Sequence, residues 1–169
     1  VDSAIESNGL VCSVWTDSDA NSYYQISDSI TGQTVQPKVM LPATSGNVRV
    51  NVVGMYFVIT YIVASVTNLD YVAIPIVSPN FFTPPVSLST QVNGANAGYD
   101  AIVTNNTLYI AWVSDVAGNA VKITTLSSQL AQGAVVTVTG ETADLLSIAA
   151  DTSQSSIIIW VSMYDATAQ

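Results

Sequence analysis

Apolar and polar residues alternate along most of this chain in short runs, and each run is bounded by residues that favour turns. Runs of this length, rich in β-branched and aromatic residues, predict strands. Four of them end on an aromatic residue: LVCSVW at Trp15, YFVITY at Tyr61, TLYIAW at Trp112 and SIIIW at Trp160. These aromatic positions are 46, 51 and 48 residues apart, so the sequence predicts an internal repeat of about 48 residues.

Each aromatic-ended run has the same predicted neighbours along the chain. An alternating strand lies 11 to 13 residues before the aromatic residue, at VRVNV, YDAIV and LLSIA, and the same offset from Trp15 falls on Ala4. A third strand follows the aromatic residue, at YYQI, YVAI and AVKI. A fourth, more polar strand comes next, at VQPKV, VSL and VVTV. The sequence therefore predicts four strands in a complete unit.

Turn-forming residues and prolines indicate how these strands are joined. The segments TDSDANS, SVTNLD and SDVAGN, between the second and third strands, favour tight turns between antiparallel neighbours. Pro37, Pro84 and Pro85 lie in or beside the fourth strand, and proline is tolerated at a sheet edge because it cannot donate to the strand ladder. The predicted fold is all-β, with consecutive four-stranded antiparallel blades of a β-propeller. A β-sandwich or jelly roll is the alternative.

The predicted units describe one partial propeller of about three and a half blades. Residues 3–44, 47–90 and 98–140 form complete units, and residues 144–169 form an incomplete one. Each blade buries its faces against its neighbours. We therefore expect the missing blades to come from the remainder of a longer chain or from another protein subunit.

The composition of the chain excludes some classes of binding partner. Charged residues make up 9% of the chain, against ~25% in a typical soluble domain, and the net charge is −9. Such a segment repels nucleic acid and anionic lipid, so neither is an expected partner. The longest apolar stretch, residues 52–66, is shorter than the ~20 residues of a membrane-spanning helix, and no signal peptide is seen. The chain has no histidine, and its single cysteine, Cys12, lies in an apolar run that predicts burial.

The best candidate for a bound ion is an acidic turn. Four side chains with oxygen ligands approximate the spacing of a calcium loop: Asp17, Asp19, Asn21 and Asp28. Serine stands where that loop needs glycine, so a hairpin turn stabilised by its own Asx side chains is the other interpretation. We predict no catalytic residue and no cofactor-binding residue. Asp100 has no second carboxylate at a fixed offset, and we expect it to serve strand geometry or hydrogen bonding.

The aromatic residues fall into two groups. The four that end strands are predicted to pack between blades, although aromatic faces also suit stacking on sugars. The second group lies nearer to the turns, within reach of a ligand or partner: Tyr23, Tyr24, Phe81, Phe82 and Tyr164.

The repeat is clearest in YDAIVTNNTLYIAWVSDVAGNAVKITTL, residues 99–126. In its order of strand, short turn, aromatic-ended strand, polar turn and strand, it resembles the propeller repeats of tailed-phage virion proteins, notably the nozzle or hub proteins of short-tailed phages. The resemblance implies a structural component of a virion tail or similar particle, virion or extracellular in location, that docks other subunits through the propeller's faces and rim. A carbohydrate-binding or adhesion propeller, with or without calcium, is the alternative. An enzyme is not expected from this segment.

Overall fold

A computed structural model describes residues 1–42, 47–63, 65–90, 92–93, 98–115, 120–142, 145–153 and 158–164 of the chain. Within these residues the regular structure consists of fourteen β-strands. The first sheet contains β1 (Asp2–Ile5), β2 (Leu10–Thr16), β3 (Ser22–Asp28) and β4 (Thr34–Met40). The second contains β5 (Val48–Val53), β6 (Tyr56–Val63), β7 (Asn68–Pro75) and β8 (Val86–Ser89). The third contains β9 (Tyr99–Thr104), β10 (Thr107–Val113), β11 (Ala120–Leu126) and β12 (Val136–Thr142), and the fourth contains β13 (Leu145–Asp151) and β14 (Ile158–Tyr164).

Each sheet follows the order of its strands along the chain, and all of the pairings are antiparallel. The all-β class is thereby confirmed, and every strand predicted from the hydrophobic pattern overlaps an observed strand. The proline-bearing fourth strand lies at a sheet edge, as predicted: β4 contains Pro37, and β8 begins directly after Pro84 and Pro85.

A short hairpin turn keeps β9 and β10 in register. Asn105 and Asn106 join β9 to β10 with φ angles of 47° and 61°. Two successive residues with positive φ are typical of a type I′ turn, whose twist matches that of the paired strands. Asparagine adopts this left-handed conformation at lower cost than most residues. The polar tip of this hairpin therefore follows directly from its sequence.

The chain divides into two compact units, Val1–Thr90 and Gln91–Gln169. The first unit holds the first and second sheets, which pack face to face around one apolar cluster. Buried residues from both sheets form this cluster: Cys12, Val14, Tyr24, Ile26, Leu41, Val48, Val50, Phe57, Ile59, Tyr61, Val72, Ile74 and Ile76. In the second unit, Val113 and Val121 of the third sheet pack against Leu146 and Val161 of the fourth.

The second sheet is the most deeply buried part of the first unit. In β6 the residues from Phe57 to Ile62 are all buried, including Thr60. An alternating strand buries only every second residue. Burial in β6 is instead continuous, in agreement with its continuous apolar run YFVITY.

The four aromatic residues that define the repeat do not share one environment. Tyr61 and Trp112 are fully buried, Trp15 is partly exposed, and Trp160 is 62% exposed. The prediction that all four pack between sheets is therefore wrong for Trp160. Side chains alternate between the two faces of a strand, and β14 packs on the third sheet through Val161, so the neighbouring Trp160 faces the other way. A continuous run such as SIIIW does not indicate which residues point inward.

Candidate functional site

The acidic residues of the predicted calcium loop lie in two separate turns. Asp17 begins the β2–β3 turn, and its Oδ1 accepts hydrogen bonds from the backbone N–H groups of Asp19 and Asn21, each at 3.0 Å. Asp28 ends β3, the seven-residue strand that follows this turn. At ~3.3 Å per residue, this strand puts about 20 Å between Asp28 and the Asp17 turn. The structure does not bring the four predicted ligands together.

Asp28 has a structural role of its own. Its Oδ1 accepts hydrogen bonds from the backbone N–H groups of Ile30 at 2.7 Å and Thr31 at 3.0 Å. The bonds from Thr31 and Ile30 favour the charged form and lower the pKa of the Asp28 carboxyl. Within the part of the chain that the structure describes, no group of three or more histidine, cysteine, aspartate or glutamate side chains is arranged to hold a metal ion. These carboxylates act as turn caps.

Two other aspartates join neighbouring sheets. In the first unit, Asp2 Oδ2 accepts a hydrogen bond of 3.0 Å from the backbone N–H of Val50, 48 residues further along the chain. In the second unit, Asp100 Oδ2 accepts one of 3.1 Å from the backbone N–H of Ile148, again 48 residues away. Ser147 Oγ donates a second hydrogen bond, of 3.2 Å, to the same oxygen. The hydrogen-bonding role expected for Asp100 is present, and Asp2 repeats it.

The two aspartates occupy the same register position in their sheets. Asp2 pairs with Val14 and Asp100 with Ala111, in each case the residue before the aromatic marker of that unit. The accepting carboxylate thus reaches the first strand of the following sheet, where a sheet edge leaves backbone donors without a ladder partner. We call this contact the aspartate bridge.

A pocket of about 350 Å³ lies beside the aspartate bridge of the first unit. Its lining comes from the start of the chain, the end of β2 and the start of β5: Val1, Asp2, Thr16, Asn47, Val48 and Arg49. Among the described residues of this lining, Asp2 carries the one carboxylate, and it already accepts the Val50 N–H.

Several exposed apolar residues lie close together in the sequence, between the end of β7 and the start of β8. Phe81 is 71% exposed, Phe82 44% and Val77 75%, and Val86 at the start of β8 is also exposed. We call these four residues the Phe81 patch. Aromatic residues are enriched at protein–protein contact sites.

Hydrogen bonds hold the backbone of this connection in place. The N–H of Ser78 donates to Pro75 O, and that of Phe81 donates to Ser78 O, both at 3.1 Å. The connection is then tied back to β7, because Thr83 N–H donates to Ala73 O and Thr83 Oγ1 accepts from Ala73 N–H, both at 2.9 Å. The two phenyl rings are presented on an ordered backbone, so little conformational entropy is lost when they are covered.

A second group of aromatic side chains lies on the first sheet. Trp15 and Tyr23 are cross-strand neighbours whose ring centroids are 5.9 Å apart at an interplanar angle of 29°. Lys38 Nζ lies 3.6 Å from the centroid of Tyr23 and 6.0 Å from that of Trp15. The Tyr23 hydroxyl donates to the Asp17 carboxylate, and this bond raises the pKa of Tyr23. The acidic turn therefore orients an aromatic pair.

Several polar or reactive groups are buried among the described residues, and one of them is Trp112 Nε1, which has no hydrogen-bond partner. Cys12 is a free, fully buried thiol, as predicted, and desolvation raises its pKa to about 12. Tyr61 Oη and Asp70 Oδ1 are buried without a hydrogen-bond partner, and Tyr61 and Asp70 face each other across β6 and β7. Burial, followed by the charge of Asp70, raises the pKa of Tyr61 to about 12.

The turn aromatics predicted to reach a ligand or partner separate clearly by exposure. Phe81, Phe82 and Tyr164 are exposed and Tyr23 is partly exposed, whereas Tyr24 is buried in the core of the first unit. All five residues were equal candidates on their positions in the sequence. The distinguishing signal was present in SPNFFTPP, where two adjacent phenylalanines lie between prolines and outside any alternating run.

No protein-family model matches the chain, and a search of curated proteins gives no match. No helix among the described residues is long and apolar enough to cross a membrane.

Proposed function

We propose that this chain is a structural and docking component of a larger protein assembly, built from consecutive propeller-type blades. The repeat of about 48 residues and the four-strand meanders support this proposal. Two pairs of sheets pack face to face, and in both pairs an aspartate bridge spans 48 residues. A contact that recurs at the repeat length is expected when each unit stacks on the next in the same way.

The observation that carries the docking role is the Phe81 patch. It lies beside β8, an edge strand of the second sheet, and therefore on the rim of the proposed blade. The equivalent connection of the third sheet, between β11 and β12, contains no aromatic residue, and Val135 is its exposed large apolar residue. Exposed phenyl rings at one such connection are explained by a partner protein that covers them.

The low charge of the chain agrees with a role inside an assembly. Only 9% of the residues are charged, and the cores of protein interfaces are depleted of charged side chains. The resemblance of residues 99–126 to virion propeller repeats makes a virion tail or a comparable extracellular particle the assembly we propose. The partners are other protein subunits of that particle, or further segments of the same polypeptide.

Site-specific photo-crosslinking in the native assembly tests this proposal. A benzophenone amino acid at position 81 should give a light-dependent product with a defined partner subunit, identified by mass spectrometry. The same probe at position 129, in the corresponding connection of the third sheet, is the matched control and should give no such product. A protein that stays monodisperse and monomeric in its source extract, with no crosslink from position 81, would refute the docking role.

A further inference from the structure

The two sheets of the first unit have their corresponding strand ends on the same side. The pocket described above is lined by residues from the start of β1, the end of β2 and the start of β5. We call this side the pocket end. The β1–β2, β3–β4 and β5–β6 turns and the β7–β8 connection lie on the opposite side, which we call the turn end. Sheets that stack as blades cover the faces of one another, so a further sheet leaves the turn end uncovered.

The turn end carries exposed apolar side chains at a repeated position. Ile30 in the β3–β4 turn is 82% exposed, and Val77 directly after β7 is exposed to a similar extent. Each lies seven residues after the residue that pairs with the aromatic marker of its sheet, which is Tyr23 in the first sheet and Asp70 in the second. The same position of the third sheet holds Gln129. The repeat therefore does not require an apolar residue here, yet both sheets of the first unit have one.

Each of these apolar residues adjoins the neighbouring turn of its own sheet. The Ile30 side chain lies against Gly9, where an added Cβ would be 3.4 Å from Ile30 Cδ1. In the second sheet, Ile76 N–H donates to Met55 O at 2.9 Å, which places Val77 beside the exposed Met55. We call Ile30, Met55 and Val77 the turn-end surface. Packed sheets lie ~10 Å apart, so a single partner segment is able to contact both parts of this surface.

Two carboxylates make the turn end negatively charged. Glu6 lies in the β1–β2 turn, and Asp28 ends β3 beside the β3–β4 turn. A hydrogen bond from the Ser7 hydroxyl is the main cause that lowers the pKa of Glu6. Backbone bonds from Thr31 and Ile30 lower the pKa of Asp28. Both carboxyl groups are therefore charged at neutral pH.

The basic residues of the first unit belong to the pocket end. Residues 1–90 contain two of them, Lys38 and Arg49. Lys38 Nζ lies over the ring of Tyr23, which pairs with the end of β2, and Arg49 lines the pocket. The charges of the turn end are thus not matched by a basic residue of the same unit. Complementary charge on a partner guides its approach and its choice of site.

We propose that the turn end of the first unit docks a basic amphipathic segment of a partner protein. The apolar side of the segment covers the turn-end surface, and its Lys and Arg side chains approach Glu6 and Asp28. The net charge of −9 attracts such a segment from a distance. Val77 is shared with the Phe81 patch, so this inference rests on the proposed docking role and adds the chemistry of the partner.

Fluorescence anisotropy of the intact chain with labelled synthetic peptides tests this inference. The probe is an amphipathic peptide of ~14 residues, with leucine and lysine placed at the helical period. A leucine–glutamate peptide of the same pattern and a lysine-only peptide are the comparisons. We expect the leucine–lysine peptide to bind at least about tenfold more tightly than either of them. Raising the salt concentration from ~50 mM to ~500 mM should weaken this binding severalfold, because salt screens exposed charges.

Substitutions in the turn-end surface locate the apolar contact. Ile30→Gln and Val77→Gln introduce the amide side chain that the third sheet carries at this position. Both side chains are exposed, so the fold should be retained. The double variant should bind the leucine–lysine peptide about tenfold more weakly. Met40→Gln, which changes an exposed apolar residue at the pocket end, is the matched control and should bind as the unsubstituted chain does.

Substitutions of the two carboxylates test the charge contact. Glu6→Gln combined with Asp28→Asn keeps an oxygen that accepts the turn hydrogen bonds but removes both charges. This variant should bind the leucine–lysine peptide severalfold more weakly and with a smaller dependence on salt. Asp17→Asn removes a charge from the β2–β3 turn at the pocket end and should have no such effect. It therefore separates a local contact from a response to net charge.

Three outcomes overturn the inference: no binding of the leucine–lysine peptide, equal binding of the leucine–glutamate peptide, and turn-end variants that bind as their controls do. If the crosslink from position 81 is present in any of these cases, the docking role stands with a partner of different chemistry. Self-association in sedimentation velocity that the Ile30→Gln and Val77→Gln variant loses would identify a second copy of the chain as the occupant, which also overturns the inference.

Discussion

The buried hydroxyl of Tyr61 should make the protein less stable than it would be with phenylalanine at this position. Tyr61 is fully buried, and its Oη has no hydrogen-bond partner. A buried polar group that loses its water without gaining a partner costs ~1–3 kcal/mol. Tyr61→Phe removes this cost but leaves a small void, which returns part of the gain. We expect the free energy of unfolding at pH 7 to rise by about 1 kcal/mol.

The same substitution should change the response to alkaline pH. The folded-state pKa of Tyr61 is raised from 10.0 to about 12. A group with a raised folded pKa contributes stability that is complete below its unfolded pKa and is lost as the pH rises through its folded pKa. Two pKa units correspond to roughly 3 kcal/mol. Tyr61→Phe lacks this loss, so its advantage over the unsubstituted protein should grow between pH 10 and pH 12.

Urea denaturation, followed by circular dichroism at pH 7 and at several pH values from 10 to 12, measures both effects. Tyr56→Phe is the matched control, because Tyr56 lies in the same strand but keeps part of its surface exposed. It should change stability by less than ~0.5 kcal/mol. Two results would contradict this prediction. A destabilising effect of Tyr61→Phe at pH 7 would mean that Oη has a partner in solution, and an advantage that stays constant as the pH is raised would mean that burial does not raise the pKa of Tyr61.

Three further substitutions or treatments test other contacts. Asp100→Ala should destabilise the second unit by about 1.5–3 kcal/mol in urea denaturation, because the carboxylate accepts two hydrogen bonds from the fourth sheet. Asp115→Ala changes an exposed turn position and should have little effect on stability. Equal effects of the two substitutions would contradict the aspartate bridge. Asp17→Ala should lower the melting temperature, because the carboxylate accepts two backbone hydrogen bonds in the turn and one from the Tyr23 hydroxyl. Millimolar calcium or a chelator should leave the melting temperature unchanged, and a rise with calcium would reinstate the ion site. Cys12 is buried, and its pKa is raised to about 12. It should therefore react with a disulfide reagent only as fast as the protein unfolds. Rapid labelling at neutral pH would disprove its burial.

Much of the architecture was predictable because the hydrophobic period is a local signal. Runs such as LVCSVW and YVAI gave strands in the observed places, and the prolines beside the fourth strand indicated the sheet edges. Both signals depend on neighbouring residues alone. Strands and edge strands can therefore be predicted from a single sequence.

The sequence did not predict the features that depend on which face of a strand packs against which neighbouring sheet. Trp15, Tyr61, Trp112 and Trp160 look equivalent in the sequence, yet strand register gives them different exposure. The spacing of Asp17 and Asp28 suggested one loop, but an intervening strand separates them. The Phe81 patch was one of several aromatic candidates until exposure distinguished it. Contacts between distant residues are set by packing, which local spacing does not encode.

The aspartate bridge also bears on how sheet edges avoid incorrect pairing. The first strand of a sheet presents backbone donors that any other strand, including one from a second molecule, is able to pair with. The Asp2 carboxylate occupies the Val50 donor in the first unit, and the Asp100 carboxylate occupies the Ile148 donor in the second. Each bridge thereby removes one backbone donor that an incoming strand would need.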